Sequence, residues 1–189
     1  TYEVEQGGEA YWMAGVTGQT RVSDAAEVGA TVVHDANPLA RRTLFGLNTT
    51  VRLREGTFLL GELARTENGS VASGMASRFE LRHQSAALDF RAFVAQADSA
   101  FDNPSSTFGA GRAEYGIRSS LKLDLKTRLR VEALRTEDRI TGGRRDGATI
   151  GVERSFSERF RAEIGYRYAN ETATPATPTT FGATPNSTS

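Results

Sequence analysis

The segment from Phe160 to Tyr168 reads Phe-Arg-Ala-Glu-Ile-Gly-Tyr-Arg-Tyr and is the clearest guide to the architecture of this chain. Apolar or aromatic residues occupy every second position, and arginine, glutamate or glycine stands between them. Side chains on a β-strand alternate between the two faces of the sheet. The segment therefore predicts a strand with one apolar and one charged face, which suits either a water-soluble sheet or a barrel embedded in lipid.

The same alternation recurs about ten times between Ala10 and Ala169, which predicts an all-β fold. The predicted strands are 10–22, 26–34, 43–54, 57–66, 77–84, 87–96, 111–124, 127–136, 147–154 and 160–168. The connections alternate between short turns, the first near Ser23, and longer polar loops. Several strands have nine or more alternating residues, as a tilted membrane-spanning strand requires.

Composition excludes several classes of protein. The chain has 189 residues, enough for one domain, and 23 basic residues balance 23 acidic ones. This balance argues against binding to nucleic acid, which usually requires a basic excess. The absence of cysteine excludes disulfides and thiolate metal sites. No run of about 18 apolar residues is available for a transmembrane helix.

Energetics decide which face of the predicted strands would meet lipid. An arginine near the middle of a bilayer costs about 2–4 kcal/mol, so the charged face must point away from lipid. The charges expected to line the interior of a barrel are Arg52, Glu80, Arg82, Arg91, Glu114, Arg118, Arg130, Glu132, Arg161, Glu163 and Arg167. They form either a ladder of ion pairs that supports the wall or the lining of a pore that selects solutes by charge.

Aromatic residues recur on the apolar side of the strands, next to the longer loops. They are Trp12, Phe45, Phe79, Tyr115, Tyr166 and Tyr168. Aromatic rings are favoured where a bilayer meets water, so this distribution predicts a girdle of aromatic residues where the outer side of the bilayer meets water.

With these features the chain resembles Gram-negative outer-membrane β-barrel proteins over about Ala10 to Ala169. The resemblance implies a bacterial outer-membrane location, with lipid and lipopolysaccharide as partners. It implies a structural or anchoring component or a pore, the alternative being a passive porin-like channel for small polar solutes. A membrane-embedded hydrolase using His34 and Asp35 is less favoured, because adjacent strand residues point to opposite faces. We expect no enzyme activity, catalytic residue, cofactor or metal site.

The predicted fold is an antiparallel up-and-down transmembrane β-barrel of about ten strands, which residues 1–169 form, with 170–189 as a flexible Thr/Pro-rich external loop or tail. With the short turns inside, both the first and the last strand would end on the external side, whereas complete barrels place their termini in the periplasm. The terminal aromatic strand typical of such barrels is also missing. The sequence therefore favours an incomplete barrel, which further strands of the same protein would complete. The alternatives are that other subunits complete it or that its two edges pair with each other in an unusual topology.

Overall fold

The computed structural model describes residues 10–39, 41–68, 73–103 and 108–172. They form one antiparallel sheet of ten strands, each hydrogen-bonded to its neighbours in chain order. The strands are β1 (Met13–Ser23), β2 (Ala26–Asp35), β3 (Arg42–Arg54), β4 (Thr57–Glu67), β5 (Gly74–Gln84), β6 (Leu88–Ala97), β7 (Arg112–Lys122), β8 (Thr127–Asp138), β9 (Arg144–Ser155) and β10 (Arg161–Thr172). The predictions of ten strands and of up-and-down topology are confirmed.

Three strands extend further than the sequence predicts. β5 begins at Gly74, β9 begins at Arg144 and β10 continues to Thr172. The extension of β5, from Gly74 to Ala76, pairs with Thr66 to Ala64 of β4. The extensions of β9 and β10 are polar, so they lack the apolar alternation from which strands are recognised. Cross-strand ion pairs hold them instead, among them Arg145 Nη2 to Glu171 Oε1 at 3.0 Å. The predicted loop at residues 1–8 and the predicted tail beyond Thr172 lie outside the described residues.

The sheet is open rather than closed into a barrel. Each described strand contacts only its neighbours in chain order, so β1 and β10 do not meet. Within the described ranges no second layer packs on either face, and the buried apolar residues are only Ala95, Ala97, Phe101 and Ala113. The described part of the chain also contains no helix long and apolar enough to cross a membrane.

The strand register sorts the side chains onto two chemically different faces. We call the side that carries Glu80, Arg118 and Arg161 the charged face, and the side that carries Ile117, Ile150 and Ile164 the apolar face. Direct pairs such as Arg91 with Arg118 and Ala92 with Ile117 keep each set on its own side from strand to strand. The alternation therefore holds across the whole sheet.

The connections at one end of the sheet are short turns at 24–25, 55–56, 85–87, 123–126 and 156–160. Gly56 has a φ of 67°, a left-handed conformation that glycine adopts without strain, and this allows the tight β3–β4 turn. In the β7–β8 turn, the backbone N–H of Lys126 donates to Asp124 Oδ1 at 2.7 Å and lowers the pKa of Asp124.

At the other end the connections span 36–41, 68–73, 98–111 and 139–143. The sequence predicts longer connections at this end than at the other. The β8–β9 connection, 139–143, does not follow this prediction, because it is no longer than the β9–β10 turn. The β8–β9 hairpin is longer than predicted, because ion pairs such as Arg135 with Asp146 extend its ladder and shorten its loop.

The sheet is staggered in one consistent direction. A single row of paired residues runs across all ten strands from Thr20 on β1 to Asn170 on β10. Thr20 lies 3 residues before the last residue of its strand, whereas the row meets β9 at Asp146, 9 residues before Ser155. A drift of six residues over eight strand spacings, at about 3.3 Å per residue and about 4.8 Å per strand, tilts the strands by roughly 30° from the perpendicular to the line of short turns.

Candidate functional site

All eleven charged residues that the sequence assigns to one face lie on the charged face. The register groups several of them into rows of directly opposed residues. One row reads Arg82, Arg91, Arg118, Glu132, Thr149 and Arg167, from β5 to β10. The charged face is therefore the candidate functional surface of this chain.

Glu80 is the centre of the densest network on this face, with its side chain 5% exposed. Arg82 Nη2 donates to Glu80 Oε1 at 2.7 Å, and Arg91 Nη2 donates to Glu80 Oε2 at 2.7 Å. Arg78 Nη2 adds a longer hydrogen bond to Oε2, at 3.2 Å. Three guanidinium groups thus share one carboxylate, and this part of the face keeps a positive excess.

Phe93 packs beside the Glu80 network. The guanidinium carbon of Arg78 lies 4.5 Å from the centre of the Phe93 ring, and that of Arg91 lies at 5.8 Å. Such cation–π contacts orient the arginines without neutralising them. The ring also covers Gly116, its direct partner on β7, where an added Cβ would lie 2.3 Å from Phe93 Cε1.

Replacing Gly116 by alanine should therefore displace Phe93 and lower the free energy of unfolding by about 1–3 kcal/mol, the usual cost of overpacking. Gly18→Ala is the matched control, because no atom of the described residues lies within 4 Å of the position of its added Cβ. The control should be neutral or stabilising by up to about 1 kcal/mol, since alanine restricts the unfolded chain. Equilibrium unfolding in detergent measures both. Equal losses would contradict the role of Phe93.

Glu153 is the centre of a second network, nearer the short turns. Arg130 Nη2 lies 2.7 Å from Glu153 Oε2, and Arg161 Nε lies 3.3 Å from Glu153 Oε1. Arg130 also reaches Glu163, at 3.6 Å. These contacts join β8, β9 and β10 through their side chains, which favours a supporting role for this part of the face.

The remaining predicted charges are held less tightly. Arg118 pairs with Glu132 at 2.9 Å, but both side chains are more than half exposed. Glu114 pairs with Arg112 on its own strand. Arg52 donates to the backbone carbonyl of Asp24 at 3.1 Å. Arg167 forms no ion pair with any described residue.

A contact that sequence reasoning missed lies at the long-loop end of the charged face. Arg42 bonds both Asp35, at 3.1 Å, and Asp102 in the β6–β7 connection. Thr66 Oγ1 donates to the carbonyl of Asp102 at 2.9 Å, and Phe101 beside it is 3% exposed. The first part of this connection therefore lies against β3 and β4. No local pattern could have indicated it, because the partners are 60 residues apart.

The six predicted interface aromatics lie at or beside the apolar face, but not at one height. Phe45 and Tyr115 stand opposite Arg65 and Arg135, the first charged residues towards the long loops. Trp12 and Tyr168 also lie towards the long loops, whereas Phe79 and Tyr166 lie nearer the middle of the sheet. Trp12 just precedes β1, and its ring lies 5.2 Å from that of His34 at an angle of 41°. Tyr168 lies two residues before Asn170 on β10. Phe79 and Tyr166 lie deeper, because β5 and β10 extend beyond their predicted ends.

His34 and Asp35 have separate partners on opposite faces. His34 Nδ1 lies 2.9 Å from Thr43 Oγ1 on the apolar face, whereas Asp35 is buried against Arg42 on the charged face. Their side chains point away from each other, as the alternation of faces along a strand predicts. Among the described residues, no group of three or more histidine, cysteine, aspartate or glutamate side chains is placed to hold a metal ion.

No family model matches this chain, and no curated protein sequence matches it either.

Proposed function

We propose that this chain forms the wall of a bacterial outer-membrane β-barrel, with the apolar face towards lipid and the charged face towards the interior. In this role it is an integral membrane component that serves as a structural or anchoring element, or as part of a pore. Its partners are outer-membrane lipid and lipopolysaccharide, together with whatever strands or subunits pair with its two sheet edges.

The exposed apolar face is the observation that carries this proposal. Ile164 is 78% exposed, Tyr166 67% and Leu47 61%, and no described element packs on them. Large contiguous apolar surfaces mark contacts with protein or membrane, since soluble monomers rarely expose them. A soluble domain would bury such a face beneath a second layer.

The height of the uncharged band supports lipid as the occupant. On the apolar face of β9, the charges Asp146 and Arg154 flank Ala148, Ile150 and Val152. The eight residue steps from Asp146 to Arg154 span about 27 Å at about 3.4 Å per residue, or about 24 Å once a tilt of roughly 30° is included. Membrane barrels have an apolar band of about 25 Å, and closing a barrel requires staggered, tilted strands.

The two free edges must be paired if the sheet lies in lipid. The backbone carbonyls of Trp12 and Phe160 accept hydrogen bonds from the neighbouring chain segment inside the sheet. Backbone groups of alternate residues point to the same side of a strand, so the residues of β1 and β10 whose backbone groups point away from the sheet are those of the charged face. Each unpaired group costs several kcal/mol in hydrocarbon. Pairing of β1 with β10, or of both with additional strands, removes this cost.

A passive channel for small polar solutes is the second candidate. It is favoured by Arg167 and Lys122, charged-face cations that form no ion pair with a described residue. The structural role is favoured instead by the shared carboxylates Glu80 and Glu153, whose ion pairs link neighbouring strands.

Reconstitution tests both parts of the proposal. The purified protein should require detergent and should float with liposomes on a density gradient after refolding. Flotation with carbonate-resistant association supports the membrane role, and a stable detergent-free monomer that stays at the bottom would refute it. Conductance of the same proteoliposomes in a planar bilayer then separates a pore from a sealed structural wall.

A further inference from the structure

The charged face contains an arrangement that a purely structural wall would avoid. Arg82, Arg91 and Arg118 occupy directly opposed positions on three neighbouring strands. Like charges that face each other across strands destabilise a sheet. Glu80 offsets this repulsion for only two of the three arginines, and Arg118 depends on its exposed pair with Glu132. The row therefore keeps positive charge together at a cost in stability.

A cavity of about 480 Å³ adjoins this row. Gly147 contributes no side chain to its floor, and the Phe93 ring covers Gly116 at its other side. Small-molecule sites in proteins commonly measure about 300–1,000 Å³, so the space suits a small solute.

The charges around the cavity are not balanced. Its lining contains four arginines and two glutamates. Glu80 and Arg82 are not part of this lining and pair with each other, so an excess of two positive charges remains. The equal totals of acidic and basic residues in the whole chain conceal this local excess.

Two arginines of the lining have unused donors. Arg167 pairs with none of the described residues. Arg91 keeps its Nε buried with no hydrogen-bond partner in the described part of the chain, although its Nη2 binds Glu80. A buried donor without a partner is rare and costly, so it calls for an acceptor. Guanidinium groups match the oxygens of carboxylates and phosphates in geometry and charge.

We propose that this cavity binds a small solute through an oxyanion group, either carboxylate or phosphate, held by Arg91, Arg118 and Arg167. The inference rests on the proposed function only in placing this site inside a barrel. Within that function, it specifies an anionic solute. In an open pore the site would favour anions during passage. In a sealed barrel it would hold a resident anion.

The test is calorimetric titration of the folded protein in detergent with inorganic pyrophosphate and, separately, with citrate, at physiological ionic strength. Saturable binding is expected, and Arg167→Gln should weaken it about tenfold. Binding of one probe alone would assign the group as phosphate or as carboxylate. Arg128→Gln is the matched control, because Arg128 also lies on the charged face without an ion pair to any described residue, but outside the cavity. The affinity of the Arg128→Gln variant for each probe should differ less than twofold from that of the wild-type protein.

Absence of saturable binding to the wild-type protein would overturn the inference, and so would equal losses in Arg167→Gln and Arg128→Gln. Neither substitution removes an ion pair between described residues, so both variants should fold, which circular dichroism checks. Flotation with liposomes is measured on the same preparations. Binding without flotation would refute the membrane role and leave the anion site standing, whereas flotation without binding would do the reverse.

Discussion

Ile150→Arg is expected to prevent stable insertion of the protein into lipid, whereas Thr149→Arg at the neighbouring position is expected to be tolerated. Ile150 lies at the centre of the uncharged band on β9, between Ala148 and Val152. An arginine near the middle of a bilayer costs about 2–4 kcal/mol, a large part of the stability of one domain. Thr149 lies on the charged face, where its new guanidinium would stand beside Glu132 and Arg167.

Folding of both variants into liposomes measures this difference, with the folded fraction read from resistance to protease and from flotation. The pair is well matched, because the residues are adjacent on one strand and receive the same side chain. Equal folding of the two variants would remove the case for lipid on the apolar face. Preferential loss of the Thr149 variant would reverse the assignment of the faces.

Glu80→Gln is expected to lower the free energy of unfolding by about 3–5 kcal/mol, as the loss of one partner from a buried ion pair does. The substitution keeps the shape of the side chain but leaves Arg78, Arg82 and Arg91 without their shared anion. Glu132→Gln is the control, because Glu132 is 53% exposed and has a single arginine partner. Exposed pairs contribute about 1 kcal/mol or less, so the control should lose little.

Unfolding by urea or guanidinium from a detergent or lipid state compares the two glutamine variants. A further variant that combines Glu80→Gln with Arg91→Met should recover part of the loss, because it removes one of the opposed arginines. Similar losses in the two single variants would mean that Glu80 is no more important than a surface carboxylate. Failure of the double variant to recover stability would show that repulsion among the arginines is not the cause.

The sequence predicted the strands and their faces well, because side chains alternate with a period of two and the apolar positions follow that period. Arg118 and Ile117 could be assigned to opposite faces from this pattern alone. The pattern ends where strands become polar, so the ends of β9 and β10 were misplaced. The extensions depend on partners in other strands, such as Glu171 for Arg145, which a local pattern does not reveal.

Sequence alone determined the number and direction of the strands and the chemistry of each face, since these follow from the local geometry of the extended chain. Only the tertiary structure decided which side chains meet. The register brings Arg82, Arg91 and Arg118 into one row and places three guanidinium groups around Glu80. The register depends on the length of every turn and on bulges such as the one between Arg52 and Arg54. Which side chains face each other across several strands therefore depends on the geometry of all the turns and bulges between them.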